Sequence, residues 1–139
     1  MMSKEATNVE ILREAYGKWH ETKGGSLDHF LAMTDPEISF GSVPPGAAPL
    51  TFAKQYDNRE AMKAYFDGLL TDWTMLHYTI DEFIAQGDSV VARGSTAWVN
   101  KKTGKKAETP KVDFWRFRDG MAVEFYEYFD TACVAAAAA

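Results

Sequence analysis

The sequence predicts an α+β domain, with helices gathered in the first half and an antiparallel sheet in the second. Three observations carry that expectation. Apolar residues recur at helical spacing before residue 73, and at a period of two after it. Turn signals at Gln86-Gly87-Asp88, Lys101 to Gly104 and Arg118-Asp119-Gly120 divide the second half into four strand-length runs. The chain has 139 residues, enough to bury one core without disulfide or metal staples.

The elements follow in order. Thr7-Asn8-Val9-Glu10 has the form of a capping box, and Ile11, Leu12, Ala15, Tyr16 and Trp19 then mark one apolar helix face. Gly24-Gly25 ends that helix. Ser26 is expected to cap a short second helix carrying Leu27, Phe30, Leu31 and Met33. Asp35-Pro36 reads as a turn, and Glu37 to Ser42 as a short strand. Val43 to Leu50 contains three prolines and a glycine, so it is a loop. Asp57 or Asn58 caps a third helix with Ala61, Met62, Tyr65, Phe66, Leu69 and Leu70 on its apolar side. Four strands follow as a meander: Leu76 to Ala85, Ser89 to Asn100, Lys105 to Phe117 and Met121 to Phe129. Pro110 marks an edge or a bulge. The organisation is one domain over residues 1–131 and a small-residue tail over 132–139.

Composition excludes several classes. The net charge of −5 argues against a nucleic-acid surface. The cluster Lys101, Lys102, Lys105 and Lys106 reads as a solvated hairpin tip. Cys133 is the only cysteine, so no internal disulfide forms. Met1 to Glu5 lacks an apolar core segment, and no run reaches membrane-spanning length. A cytoplasmic protein without a membrane partner is expected. No metal-ligand spacing and no glycine-rich phosphate loop occurs, so neither metal nor cofactor is expected. In the last strand both faces carry aromatics, which points to a sheet covered on both sides and to a homodimer through its outer face.

Three strand positions are unusual for an apolar interior. Asp113 shares a face with Trp115 and Phe117, and Glu127 lies between Phe125 and Phe129 on its own face. Arg93 shares a face with Val91, Ser95 and Ala97. If these faces are concave, two carboxyls and a guanidinium meet in one apolar pocket. Burial there raises a carboxyl pKa and a nearby arginine lowers it, which separates an acid from a base. A structural ion pair is the competing reading, and a one-residue slip near Pro110 would turn Asp113 outward. His77 falls between Leu76 and Tyr78 and fits either face. His20 and His29 read as surface residues.

Several phrases resemble a known family. Arg118-Asp119-Gly120-Met121-Ala122-Val123-Glu124 with Tyr128-Phe129-Asp130 is similar to the closing hairpin of SnoaL-like and ketosteroid-isomerase-like proteins. Ile84 to Val91 resembles their central hairpin, and Asn58 to Met62 the start of their third helix. The likeness runs from about Val9 to Thr131 and places the chain in the nuclear transport factor 2-like superfamily, a cystatin-like architecture. It implies a curved, mixed or antiparallel sheet wrapped around helices, forming a cone with an apolar pocket.

The resemblance also implies roles. Asp113 matches the acid that donates to the oxyanion in ketosteroid-isomerase-like proteins, whose site is a worked example of pKa tuning, and Tyr16 matches its tyrosine partner. That family's general base falls near Gly41. Glu127 matches the C-terminal-strand acid/base of SnoaL-like polyketide cyclases and the water-activating position of limonene-epoxide hydrolases. Arg93 matches the arginine of those hydrolases. Their second carboxylate falls at Ser95, and their water-holding residues at Phe40 and Ser42. The expectation is a cofactor-independent acid/base enzyme of isomerase, cyclase or hydrolase type. Its substrate is a small, largely apolar molecule bearing a carbonyl or epoxide. Glu127, Asp113, Arg93 and Tyr16 would be catalytic. Trp19, Phe66, Trp115, Phe117, Phe125 and Phe129 would form the walls. The alternative is a non-catalytic domain for hydrophobic ligand binding or dimerisation.

Overall fold

A computed structural model describes residues 2–42 and 44–139, so Val43 of the proline-rich loop lies outside the described residues. The order is α1 (Lys4–Glu21), α2 (Leu27–Ala32), β1 (Thr34–Ser42), β2 (Gln55–Tyr56), α3 (Arg59–Asp72), β3 (Trp73–Gln86), β4 (Ser89–Asn100), β5 (Lys106–Arg118), β6 (Met121–Phe129) and α4 (Thr131–Ala138). The six strands form one curved, unclosed sheet in the order β2-β1-β6-β5-β4-β3. The β1–β6 pair is parallel and every other pair is antiparallel, so the sheet is mixed.

Curvature comes from interruptions in long strands. The β3–β4 register shifts between Met75 and His77 and again between Ile80 and Glu82, and the β5–β6 register shifts between Arg116 and Phe117. Gly94 lets β3 and β4 approach. A Cβ there would stand 1.8 Å from the Thr79 carbonyl oxygen. The helices fill the concave side. Leu12, Ala15, Tyr16 and Trp19 of α1 and Met62, Tyr65 and Phe66 of α3 pack on Val90, Ala92, Trp115 and Phe125 of the sheet. The apolar stripes that defined these helices are the faces they bury.

Several boundaries differ from expectation. Helix α1 starts one turn before the Thr7 box because the Ser3 side chain accepts from Ala6 N at 3.1 Å and caps it there. Ser26 precedes α2, but its hydroxyl makes no capping bond. Strand β1 runs through Asp35-Pro36. Proline is tolerated because the register with β6 shifts between Thr34 and Ser39. The two-residue β2 was not anticipated. Asn58 is the α3 cap, accepting from Ala61 N at 2.7 Å.

The small-residue tail lies mostly within α4. Asp130 caps it through Cys133 N, and Val134 and Ala137 are buried. The lysine-rich tip supports two helix ends: Lys101 Nζ donates to Leu70 O and Lys105 Nζ to Ala139 O, each at 2.8 Å. No helix among the described residues is long and apolar enough to cross a membrane.

Candidate functional site

The concave side of β5 and β6 meets the helices in a narrow cavity of about 70 Å³. Its walls are almost all aromatic or aliphatic. Its polar groups are few: Asp113, Lys111, Glu127, Tyr16, Tyr65 and Tyr78, with Thr96 and Thr109. Strand alternation explains the first three. Residues 111, 113, 115 and 117 of β5 all face inward, and Asp113 pairs directly with Glu127 across the β5–β6 ladder.

Lys111 joins the two carboxyls. Its Nζ lies 2.7 Å from Glu127 Oε2 and 2.9 Å from Asp113 Oδ1, and none of the three side chains has more than a few per cent of its surface in solvent. The ammonium also sits 4.8 Å from the Tyr78 ring centroid and 5.7 Å from that of Phe125. Glu127 Oε1 accepts from Tyr65 Oη at 2.6 Å and from Ser42 Oγ. Asp113 Oδ2 accepts from Tyr16 Oη at 2.5 Å and Tyr78 Oη at 3.0 Å. Trp115 Nε1 donates to Tyr16 Oη at 2.8 Å, so the proton of Tyr16 is directed at Asp113. Asp113 Oδ1 is buried and held in the ion pair with Lys111, with no other polar partner among the described residues.

The electrostatics divide the groups. Burial pushes the Asp113 carboxyl up. Lys111 pulls it back and Glu127 pushes it up again, leaving it above the ordinary carboxylate value. Burial pulls the Lys111 ammonium down, but Asp113 and Glu127 together outweigh it and hold it well above its usual value, so it remains charged. Burial, and then the adjacent carboxyls, raise Tyr16, Tyr65 and Tyr78 far above a free phenol, so all three are neutral. The site therefore holds fixed donors, a fixed cation and one carboxyl displaced toward its protonated form. Such an arrangement can hold a proton at Asp113 beside an acceptor at Glu127.

The expected residues separate into two groups. Glu127, Asp113 and Tyr16 come together, and Trp19, Phe66, Trp115, Phe125 and Phe129 line the cavity. Arg93 does not join them. Ala92 is the β4 residue paired with Asp113, so Arg93 points to the convex face, where it binds Glu82 at 2.6 Å with half its side chain in solvent. Phe117 is buried in the core beside Trp115 but off the cavity wall.

His77 is on the outer side with Glu108, whereas His20 is half-buried and its Nδ1 accepts from Tyr78 N. Lys111, Tyr65 and Tyr78 were not anticipated, and Ser42, which falls at a water-holding position of the hydrolases, bonds Glu127 instead. Lys111 shares the parity of Asp113 and could have been found by the same alternation. Tyr65 lay on the recognised apolar stripe of α3. The position near Gly41 is closed to a side chain, since a Cβ there would meet Lys54 O at 1.9 Å. That excludes a base at this residue in this backbone.

Comparison with known proteins agrees with this fold. Residues 14–125 match the SnoaL-like domain family. The fold is similar to that of an NTF2-like protein of unknown function from Burkholderia pseudomallei K96243, at 27% identity and TM-score 0.81, covering 98% of each chain. It is also similar to a putative SnoaL-like polyketide cyclase from Jannaschia sp. CCS1, at 16% identity and TM-score 0.79, covering 99% of this chain and 95% of the other. A third similar structure has a ketosteroid isomerase-like fold. It comes from Catenulispora acidiphila DSM 44928, in complex with trimethylamine, at 15% identity and TM-score 0.74, covering 93% of this chain and 92% of the other. No curated protein sequence matches the chain. The matched span covers most of the chain, from α1 to β6, and the chain belongs to the SnoaL-like domain family, with an NTF2-like fold.

Proposed function

We propose that the protein is a cofactor-independent acid/base enzyme of isomerase, cyclase or hydrolase type, acting on a small, largely apolar carbonyl or epoxide compound. One observation supports this above the others: two carboxyls and an ammonium converge on the wall of an otherwise apolar cavity. In this reading Glu127 takes the proton or activates a water. Lys111 fills the place expected for Arg93, holding Glu127 in position and supplying positive charge.

Asp113 donates from Oδ1. Its other oxygen already accepts from two tyrosines, so in this reading the proton lies on Oδ1, which also sits 2.9 Å from the Lys111 ammonium. Tyr16 then acts through Asp113. The chain from Trp115 through Tyr16 to Asp113 strengthens the donor by polarisation. Glu127→Gln should abolish turnover of a responsive carbonyl or epoxide substrate while circular dichroism and the unfolding midpoint report a folded protein. Full activity in that variant defeats the assignment.

A second reading has a specific observation in its favour. Both oxygens of Glu127 are already engaged, by Ser42, Tyr65 and Lys111, as in a self-contained structural network. A domain that only binds hydrophobic ligands would show ligand affinity nearly flat with pH around neutrality. The proposal includes a cytoplasmic homodimer through the convex face, where Val112 and Tyr128 are exposed beside Phe114 and Tyr126.

A further inference from the structure

The inner cavity is narrow, about 70 Å³, and is not fully enclosed. A second, larger space of about 750 Å³ lies outside it and opens to solvent. Its walls are the loop bearing Pro44, Pro45 and Pro49 and the first turns of α4, at Ala132 and Ala135. Glu127 and Phe129 line both spaces, whereas Asp113 lines only the inner one. Helix α4 divides its contacts in the same way, with Val134 on the inner wall and Ala132 and Ala135 on the outer. Glu127 is therefore common to the walls of a polar-ended inner space and an apolar outer one.

We propose that the space between the proline-rich loop and α4 is a binding subsite for the apolar tail of an elongated carbonyl compound whose head occupies the inner cavity. This rests on the reading that the inner cavity takes a carbonyl group. The walls favour a hydrocarbon tail. Proline, alanine and leucine dominate them, and Glu127, the one charged residue there, is held by Lys111. In this arrangement the head lies against Asp113 and the tail follows Glu127 and Phe129, the two residues that line both spaces. The prolines shape a wall without side-chain donors, and the small α4 residues leave the volume free.

The test uses the full chain and a series of methyl ketones from 2-pentanone to 2-undecanone. All four tryptophans of the chain, Trp19, Trp73, Trp98 and Trp115, line the inner cavity, so their emission reports occupancy of the head. Affinity should rise roughly two- to fourfold for each added methylene, the range expected for partial to full burial of a CH₂. Ala132→Phe, at an exposed position on the outer wall, should flatten that rise while 2-pentanone still binds. Ala136→Phe, exposed on the same helix but off the wall, should keep the rise.

A wild-type series with no dependence on chain length overturns the outer subsite. So does an Ala132→Phe series that rises like the wild type. Both results leave the inner-cavity reading standing if 2-pentanone still binds. If no ketone changes the emission or binds by calorimetry, the inner-cavity reading falls and the outer subsite falls with it.

Discussion

The two faces of the sheet carry the same kinds of ion pair in opposite settings. On the convex face Arg93 binds Glu82 at 2.6 Å and Arg116 binds Glu124 at 3.1 Å, each side chain with a third to a half of its surface in solvent. On the concave face Lys111 binds Glu127 at 2.7 Å and Asp113 at 2.9 Å, almost out of contact with water. The distances are nearly equal, but the consequences differ. Water can replace a lost partner on the convex side. On the concave side nothing can, so each group sets the charge state of the others.

The largest expected effect comes from alkali. Tyr16, Tyr65, Tyr78 and Lys111 all have folded-state pKa values above those of the unfolded chain. Their contribution is complete below about pH 10, where the unfolded groups are still protonated, and is lost as pH rises further. Each group removes about 1.4 kcal/mol per pH unit once its unfolded form ionises, so the four together remove up to about 5.5 kcal/mol per unit. Urea unfolding between pH 8 and 11.5 should show that fall, with buried phenolate absorbance appearing only on unfolding. Phenols that ionise in the folded protein would show a wet cavity and erase the contrast between the faces.

Removing the buried cation comes next. Lys111→Met leaves two carboxyls facing each other without a counter-charge and should cost about 3–5 kcal/mol at pH 7. The loss should shrink on acidification. The Asp113 pKa is already raised and rises further without Lys111, so the folded state gains relative stability as pH falls through that value. Urea midpoints for wild type and variant at pH 4 and 7 measure it. A loss equal at both pH values would mean the cost is packing rather than charge.

A smaller effect is expected from Tyr16→Phe. It removes one donor to Asp113 and leaves the Trp115 indole N–H without an acceptor, at a cost of about 1–3 kcal/mol. Carboxyl carbon shifts followed by NMR should place the Asp113 titration higher than in the wild type. The smallest effect is that of Arg93→Ala, which should leave the unfolding midpoint and any turnover unchanged. A clear loss in either would mean that the convex pair is not solvent-like and that Arg93 still deserves a place in the site.

The fold was largely legible, and the site half so. Strand alternation alone brought Asp113 and Glu127 to the faces of Trp115 and Phe125, and the structure pairs them across one ladder. The same alternation includes Lys111, whose single charge near a hairpin gave no sign that it would be buried. Arg93 failed for a definite reason. Both parities of β4 carry apolar residues, Val90 and Ala92 on one and Val91 and Ala97 on the other, so periodicity had no preferred face to report. Tyr65 and Tyr78 arrive from α3 and β3. The inward position of Tyr78 follows a register shift between Met75 and His77 that no local pattern marks. Ser42 reaches Glu127 because β1 runs parallel to β6, a pairing between elements 85 residues apart.

What the sequence determined by itself is local: which stretches are helix, which are strand, and which residues share a strand face. Those follow from steric preferences and side-chain periods that act over a few residues. The tertiary structure decided which face is concave, that a lysine rather than an arginine joins the two carboxyls, and that Glu127 lines both the inner and the outer space. These depend on register, sheet curvature and the seating of α4. A shift of one residue reverses the direction of a strand side chain, and only the packing of the whole sheet selects the register.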